Sequence, residues 1–299
     1  MSTLAIDIGG TKFTIALLAR TSEGVHIVRQ ESRLTDRAGG RERLLPELSQ
    51  LARDWSLDAK PASCGIGFGG PVDFAAQRVA LSTHVAGWED FPLRDYFQDL
   101  LGIPAVIDND ANAGALGEAL YGAGVGSRPL VYVTLSTGIG GGLVLEGDRV
   151  YRGADSWAGE IGHITLDPDG RECLCGARGC FERICSGLWL ERDYGRPAHD
   201  LLADPDFAAR YAAQVARGLK AAVMLLNPAR IVIGGGIAQA GDRLLKPLRQ
   251  ELRWEMTTWS GARVDVQLAA LGNASVLWGA YALAARVAGF SLQQGFSPV

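Results

Sequence analysis

His163 is followed by Cys173, Cys175 and Cys180 in the run Gly-Glu-Ile-Gly-His…Cys-Leu-Cys-Gly-Ala-Arg-Gly-Cys-Phe-Glu. One imidazole and three thiolates complete a tetrahedral zinc shell and leave no position for water, which is how a structural rather than a catalytic zinc is held. Gly176 and Gly179 let so short a loop fold back on an ion. A set of buried thiols beside a core histidine is the alternative, and the Cys-x-Cys step is tighter than common zinc-finger spacings. Two acids frame the loop: Glu160 precedes His163 and Glu182 follows Cys180. A structural metal that places two carboxylates implies a polar ligand pocket.

Three glycine-rich segments carry a second kind of chemistry. In Asp7-Ile-Gly9-Gly10-Thr11-Lys12 the bend exposes N–H groups suited to phosphate oxygens, and Thr11 adds a hydroxyl. Asp7 lies within the apolar strand Leu4–Ile8, where an unpaired carboxylate is costly, and a hydrated Mg²⁺ nearby accounts for it. Ser136-Thr137-Gly138-Ile-Gly-Gly-Gly142 is a second such bend, suited to gripping the far phosphates from the other side of a cleft. Gly234-Gly235-Gly236 ends a buried strand, where a flat ring can lie against bare backbone. Each alone reads equally as a plain turn or hairpin tip. Neither a Walker loop nor a Rossmann fingerprint is present. Asp108-Asn109-Asp110 sits between a strand end and a helix start, where such residues also serve as caps. Three polar residues exceed what one cap needs, so one carboxylate is available to accept a proton from a substrate hydroxyl.

These residues need elements to hold them. Leu4–Leu18 reads as strand, Gly-Gly bend and returning strand, and Leu130–Leu145 repeats that plan. Two similar halves imply two α/β domains facing one another. Arg41–Trp55 has apolar residues at helical spacing. Ala62–Phe68 is a strand that runs into Gly69-Gly70-Pro71, a loop placed to approach a ligand. Pro104–Ile107 is another strand, followed by a helix over Ala113–Tyr121. Gly122–Pro129 reads as a hinge. Asp206–Leu226 is a long amphipathic helix ended by Asn227-Pro228. Arg230–Ile233 is a buried strand, and Ser275–Ala288 a further helix.

With 299 residues, 47% of them hydrophobic and 21% charged, the chain can bury one large or two moderate cores. A net charge of −4 gives no reason to expect nucleic acid or an anionic membrane as partner. No apolar run is long enough for a bilayer, and the N-terminus lacks a basic region before an apolar one, so neither a membrane span nor a signal peptide is expected. Five cysteines, mostly clustered, fit a reducing compartment, and a cytoplasmic protein is expected.

Together the segments resemble the ROK family (repressors, uncharacterised open reading frames and sugar kinases) over nearly the whole chain. The most specific part is Gly159-Glu-Ile-Gly-His163 followed by Cys-x-Cys-Gly-x-x-Gly-Cys-x-Glu; Asn109-Asp110-Ala-Asn112 and Ala115-Leu-Gly-Glu118 also match. The resemblance implies an α/β, two-lobed actin-like ATPase fold of hexokinase type, ribonuclease-H-like, with ATP in an interlobe cleft. It places the first lobe at 1–121, completed by a C-terminal helix near 284–299, and the second at 122–283 with the zinc loop 163–180 inserted. It implies ATP, Mg²⁺ and structural Zn²⁺ as cofactors, a small-molecule sugar as substrate, and a homodimer or homotetramer. Asp110 becomes the catalytic base for a sugar 6-hydroxyl. Asn109, Glu160, His163 and Glu182 hydrogen-bond the other hydroxyls, with His163 using one nitrogen on zinc and one on sugar.

One departure touches specificity. Many family glucokinases carry Pro-Asn-Leu-Pro-Gly-Trp where this chain has Thr83-His84-Val-Ala-Gly-Trp88, so His84 stands where a sugar-facing Asn is expected. Thr83 and Gly70 are the alternative recognition residues. Leu81-Ser-Thr83 resembles N-acetylmannosamine kinases of the same family. The expected activity is therefore a hexose 6-kinase, glucose foremost, with N-acetylmannosamine or N-acetylglucosamine as alternatives. A repressor would be expected to carry a helix-turn-helix ahead of the first strand, which starts here at residue 4. A non-catalytic sugar sensor is opposed by retention of Asp110 and of all three glycine segments.

Overall fold

A computed structural model describes residues 2–82, 85–290 and 292. The first sheet is built on a hairpin, β1 (Ser2–Ile8) and β2 (Lys12–Arg20), closed by the Gly9 N–H donating to the Lys12 carbonyl at 3.0 Å. Strand β3 (Val25–Leu34) pairs with the outer edge of β2. On the other side β4 (Cys64–Phe68) runs parallel to β1, a short ribbon follows as β5 (Val72–Asp73) and β6 (Arg78–Val79), and β7 (Ala105–Asn109) runs parallel to β4. The order is β3-β2-β1-β4-β7. Register places Ile8, Phe68 and Asn109 side by side, so three parallel strands end level. Loops leaving such a common edge are where α/β sheets bind ligands.

The second sheet repeats the plan. Hairpin β8 (Leu130–Leu135) and β9 (Ile139–Val144) is joined by β10 (Arg230–Gly234) and β11 (Asp265–Leu268), both parallel to β8, in the order β11-β10-β8-β9. The central strands are apolar on both faces because helices cover both.

Helix α1 (Gly40–Ala59) closes the outer face of the first sheet. It buries Leu44, Leu45, Leu48, Leu51, Ala52 and Trp55 against Leu4, Ile6, Phe13 and Ile15. Each buried leucine contributes about 2 kcal/mol. Helix α2 (Leu93–Leu101) adds Leu93 and Phe97 to that core. Helix α3 (Asp110–Tyr121) leaves β7 directly. It starts three residues earlier than apolar spacing implies, because Asn109 rather than Asn112 is the cap. Short helices α4 (Phe181–Cys185), α5 (Gly187–Tyr194) and α6 (Ala198–Leu201) follow the cysteine loop. Helices α7 (Pro205–Leu226) and α8 (Asp242–Met256) cover the outer face of the second sheet. Helix α9 (Ser275–Val287) returns to the first sheet. It matches the helix expected over Ser275–Ala288; of the 284–299 segment expected to complete the first lobe, residues 291 and 293–299 lie outside the described residues.

Helices α3 and α9 form the middle layer, and their approach is set by absent side chains. A Cβ on Gly279 would lie 1.7 Å from the Ala113 carbonyl oxygen, one on Gly117 2.2 Å from that of Ser275, and one on Gly65 of β4 1.9 Å from that of Ala280. Among the described residues no helix is long and apolar enough to cross a membrane.

Gly279→Ala is expected to destabilise the fold by about 3 kcal/mol, because the new methyl group would stand against the Ala113 backbone, which cannot swing aside as a side chain can. Urea denaturation midpoints check this; a loss under about 1 kcal/mol would mean that the two helices can part freely.

Candidate active site

The level ends of β1, β4 and β7 gather Asp7, the Gly69-Gly70 turn, Asn109 and Asp110. Asn109 caps α3: its Oδ1 accepts from the N–H groups of Ala111 (2.9 Å) and Asn112 (3.2 Å), while its Nδ2 donates to the Gly70 carbonyl at 3.0 Å. One amide hydrogen remains for a ligand. Asp110 accepts from the Ala111 N–H at 2.7 Å, and its other oxygen faces the turn at Gly69, where a Cβ would lie 3.5 Å away. Burial in this recess, with the Glu160 carboxylate adding to it against the Ala111 N–H, pushes the Asp110 carboxyl up to about 7. Asp7 is also pushed up to about 7, by burial first and then by the charge of Asp110, with Lys12 opposing. Two such carboxylates in one recess call for a proton or a cation between them.

Asp108 has a different fate. It is 1% exposed, and its Oδ2 accepts from the Arg152 guanidinium, at 3.0 Å from Nε. Its Oδ1 accepts from the Asn109 N–H and the Asn112 amide. Arg152 lies 3.5 Å over the Phe74 ring. The three polar residues thus divide into an ion pair, a cap and a carboxylate that faces the recess.

The second lobe supplies the opposing wall. Gly159 and Gly162 fit against β9, where a Cβ would meet the Gly141 oxygen at 2.4 Å and the Ile139 oxygen at 2.1 Å. That contact sets the short turn Ile161–His163 and Glu160 before it. Burial raises the Glu160 carboxyl, with His163 opposing and Glu182 adding. Glu182 is buried at the start of α4 and accepts from the Ile139 N–H at 2.8 Å. The ligand atoms of His163, Cys173, Cys175 and Cys180 all lie within 4.8 Å of one another. His163 presents Nδ1 to Cys173, 4.0 Å away, and Cys175 lies 3.6 Å from Cys180.

The two glycine turns meet. Thr11 Oγ1 and Thr137 Oγ1 share a hydrogen bond of 2.9 Å, so β1–β2 and β8–β9 face one another tip to tip. The Ser136–Gly138 turn is closed by the Ser136 N–H on the Gly138 carbonyl and anchored by the Gly187 and Leu188 N–H groups of α5. Gly9 and Gly10 form the first turn, with Lys12 exposed beside it. Gly142 is occupied by packing: its Cβ would lie 2.3 Å from the Ala111 oxygen. The Gly234-Gly235-Gly236 run divides similarly. Gly234 leaves room for Tyr132, and Gly235, at φ +85°, for the end of β8; Gly236 alone faces open space. His84 lies outside the described residues.

Sequence reading missed Arg37 altogether, and named Glu118 without its contacts. Arg37 donates to the Gly10 carbonyl and to Thr11 Oγ1. Glu118 is fully buried and accepts from the N–H groups of Ala123, Ala270 and Leu271 and from Ser275 Oγ. A carboxylate deep in an apolar helix was the signal available for Glu118. For Arg37 there was none.

Residues 3–287 match the model of the ROK family. The chain belongs to the ROK family. It is 33% identical to a glucokinase of Halalkalibacterium halodurans, covering 93% of each chain. It is 36% identical to an N-acetylmannosamine kinase of Citrobacter koseri over 80% of this chain and 78% of that one. A ROK glucokinase from Streptomyces griseus, solved with glucose and AMPPNP, superposes with a TM-score of 0.82 at 29% identity, covering 96% of this chain and 100% of that one. The architecture is the two-lobed actin-like ATPase fold of that family.

Arg152→Ala is expected to cost about 3–5 kcal/mol near neutral pH, because it leaves the buried Asp108 carboxylate without its cation. Adding Asp108→Asn should restore most of that loss. Denaturant unfolding of the single and double variants tests it, and equal stabilities of the two would show that Asp108 is not held as an anion.

Proposed function

We propose that this protein is an ATP-dependent sugar kinase that transfers a phosphoryl group to the 6-hydroxyl of a hexose, glucose foremost. The observation that carries the reading is Asp110, a carboxylate with a pKa near 7 at a helix start, in the same cleft as the paired tips at Thr11 and Thr137. Full-length similarity to glucokinases supports the substrate class.

In this reading the first lobe, with α9 returning to it, and the second lobe close on the two substrates. Glu160, His163, Glu182 and the free amide hydrogen of Asn109 bind the sugar hydroxyls. Backbone N–H groups at Gly9, Gly10 and Gly138, with Thr11, Lys12 and Thr137, bind the phosphates, and the nucleoside lies on the open face of Gly236. Asp110 accepts the proton of the 6-hydroxyl as that oxygen bonds to the γ-phosphorus. The bond from phosphorus to the bridging oxygen breaks, and ADP leaves. Positioning and charge stabilisation supply most of the acceleration. Closure keeps water from acting as acceptor. Mg²⁺ carried with ATP would neutralise phosphate charge, with Asp7 placed to hold its water shell.

The cysteine cluster fits zinc. Two thiolates on zinc bonds of about 2.3 Å stand roughly 3.8 Å apart at tetrahedral corners, and a thiolate and an imidazole nitrogen about 3.6 Å apart; the corresponding separations here are 3.6 Å for Cys175–Cys180 and 4.0 Å for Cys173–His163. His163, Cys173, Cys175 and Cys180 would hold it, and its part is to orient His163 and the turn that bears Glu160. With Nδ1 on the thiol side, Nε2 is the nitrogen left for the sugar. A cytoplasmic location, where ATP is supplied, is part of this reading.

A second reading, an N-acetylmannosamine kinase, is favoured by the similarity to such an enzyme over four-fifths of the chain. A coupled ADP-release assay across a sugar panel separates the two, and no release with any sugar would overturn both.

Asp110 must be unprotonated to act as base, so kcat/KM for the sugar should fall about tenfold per unit as pH drops below its pKa, which stands at about 7. Asp110→Asn should lower kcat by about 10²-fold or more while the fold persists. A flat pH profile together with near-normal turnover of the variant would remove Asp110 from that role.

Elemental analysis of protein purified without added metal should find one zinc per chain. Cys175→Ser should lower both zinc content and thermal stability. Fully active, stable protein free of zinc would refute the structural metal.

A further inference from the structure

Arg37 lies between β3 and α1, yet its guanidinium reaches back to the tip of the β1–β2 hairpin. Nε donates to the Gly10 carbonyl, and Nη2 donates to Thr11 Oγ1 at 2.9 Å. Thr11 Oγ1 lies 2.9 Å from Thr137 Oγ1. The three side chains form a hydrogen-bonded row across the mouth of the cleft, from the first lobe to the second. A guanidinium carries five N–H donors in one plane, so three remain beyond the two used here. The neighbouring acid does not neutralise it: Asp36 accepts from the Gly39 N–H at 3.1 Å and lies 3.9 Å from Arg43. Among the described residues no carboxylate forms an ion pair with Arg37.

A nucleotide triphosphate entering between the two tips brings about four negative charges. It must part the Thr11–Thr137 contact, and both hydroxyls then turn to phosphate oxygens. Lys12 stands beside the first turn as a point charge. A planar fork matches two oxygens of one phosphate, which an ammonium cannot do.

We propose that Arg37 is a phosphate-binding residue of the donor site, contacting the terminal phosphates of the nucleotide while its other edge braces Gly10 and Thr11. This rests on the nucleotide site of the kinase reading. A side chain that only braced the turn would be replaceable by any other brace; a charge on the terminal phosphates discriminates nucleotides by phosphate number.

Calorimetric titration of the full-length protein with AMPPNP and with AMP tests the difference. Arg37→Ala should weaken AMPPNP by about tenfold or more and AMP by less than about twofold. Arg37→Lys should recover part of the AMPPNP loss, since charge persists without the fork. Thr35→Val removes the other side-chain brace of the turn, the Thr35 hydroxyl donating to the Gly9 carbonyl at 3.1 Å, and leaves the charge in place. Its ratio of AMPPNP to AMP affinity should stay within about twofold of wild type, as an uncharged brace implies. The proposal is overturned if Arg37→Ala weakens both nucleotides equally or neither, or if Thr35→Val reproduces the phosphate-dependent loss. Wild-type protein that binds AMPPNP but releases no ADP from ATP with any sugar sinks the kinase reading alone; protein that binds neither nucleotide sinks both.

Discussion

The close approach of α3 to α9 and to β9 is the constraint on which the cleft depends. Backbone lies against backbone at Gly279 and Ala113, at Gly117 and Ser275, and at Gly142 and Ala111. Because no side chain intervenes, neither helix can slide or rotate without a clash, and a packed interior transmits such a shift rather than absorbing it. Asn109 and Asp110 sit at the start of that helix. Their position relative to the glycine turn of the second sheet is therefore set by glycines in elements distant in sequence, before any polar contact forms.

Polar ties then join the lobes at both ends of the same helix. At its start the buried Asp108 pairs with Arg152 of the second lobe, and the Ser156 hydroxyl accepts from the Phe74 N–H. At its end Glu118 accepts from Ala123, Ala270, Leu271 and Ser275. Such buried carboxylates add little net stability over apolar packing, but each has one arrangement of donors that satisfies it. They specify the register between lobes. Asp110 differs: burial, with the Glu160 carboxylate adding to it, holds its proton more tightly than an ordinary carboxyl does, up to about pH 7.

The cysteine loop acts on the cleft through a similar logic of close contact. Gly159 and Gly162 press the turn that bears Glu160 and His163 onto β9, and Glu182 takes the Ile139 N–H of that strand. The turn that bears Glu160 and His163, the Glu182 carboxylate and the Ser136–Gly138 turn thus all meet at the start of one short strand. A change in the loop would be felt at all three.

Much of this was legible in the residues themselves. The cysteines and His163 lie close in sequence, and the two hairpins declare themselves by alternation and a glycine bend. Helices α1, α7 and α9 show their apolar spacing. The motif at Asp108–Asp110 was visible, but not the distribution of roles: Asp108 is taken out of play by Arg152, 44 residues away, and no local pattern reports that. Strand β3 escaped because it is a largely exposed edge strand whose sequence carries little apolar alternation. The glycine runs were visible, but not that Gly142, Gly234 and Gly235 are required by neighbouring backbone or Tyr132. Arg37 and Glu118 acquire meaning only from what the fold brings to them. Spacing within a segment encodes elements and compact clusters, because these depend on near neighbours. Which carboxylate is paired, which glycine is filled and which cation faces the cleft depend on contacts between distant segments, and those exist only once the chain has folded.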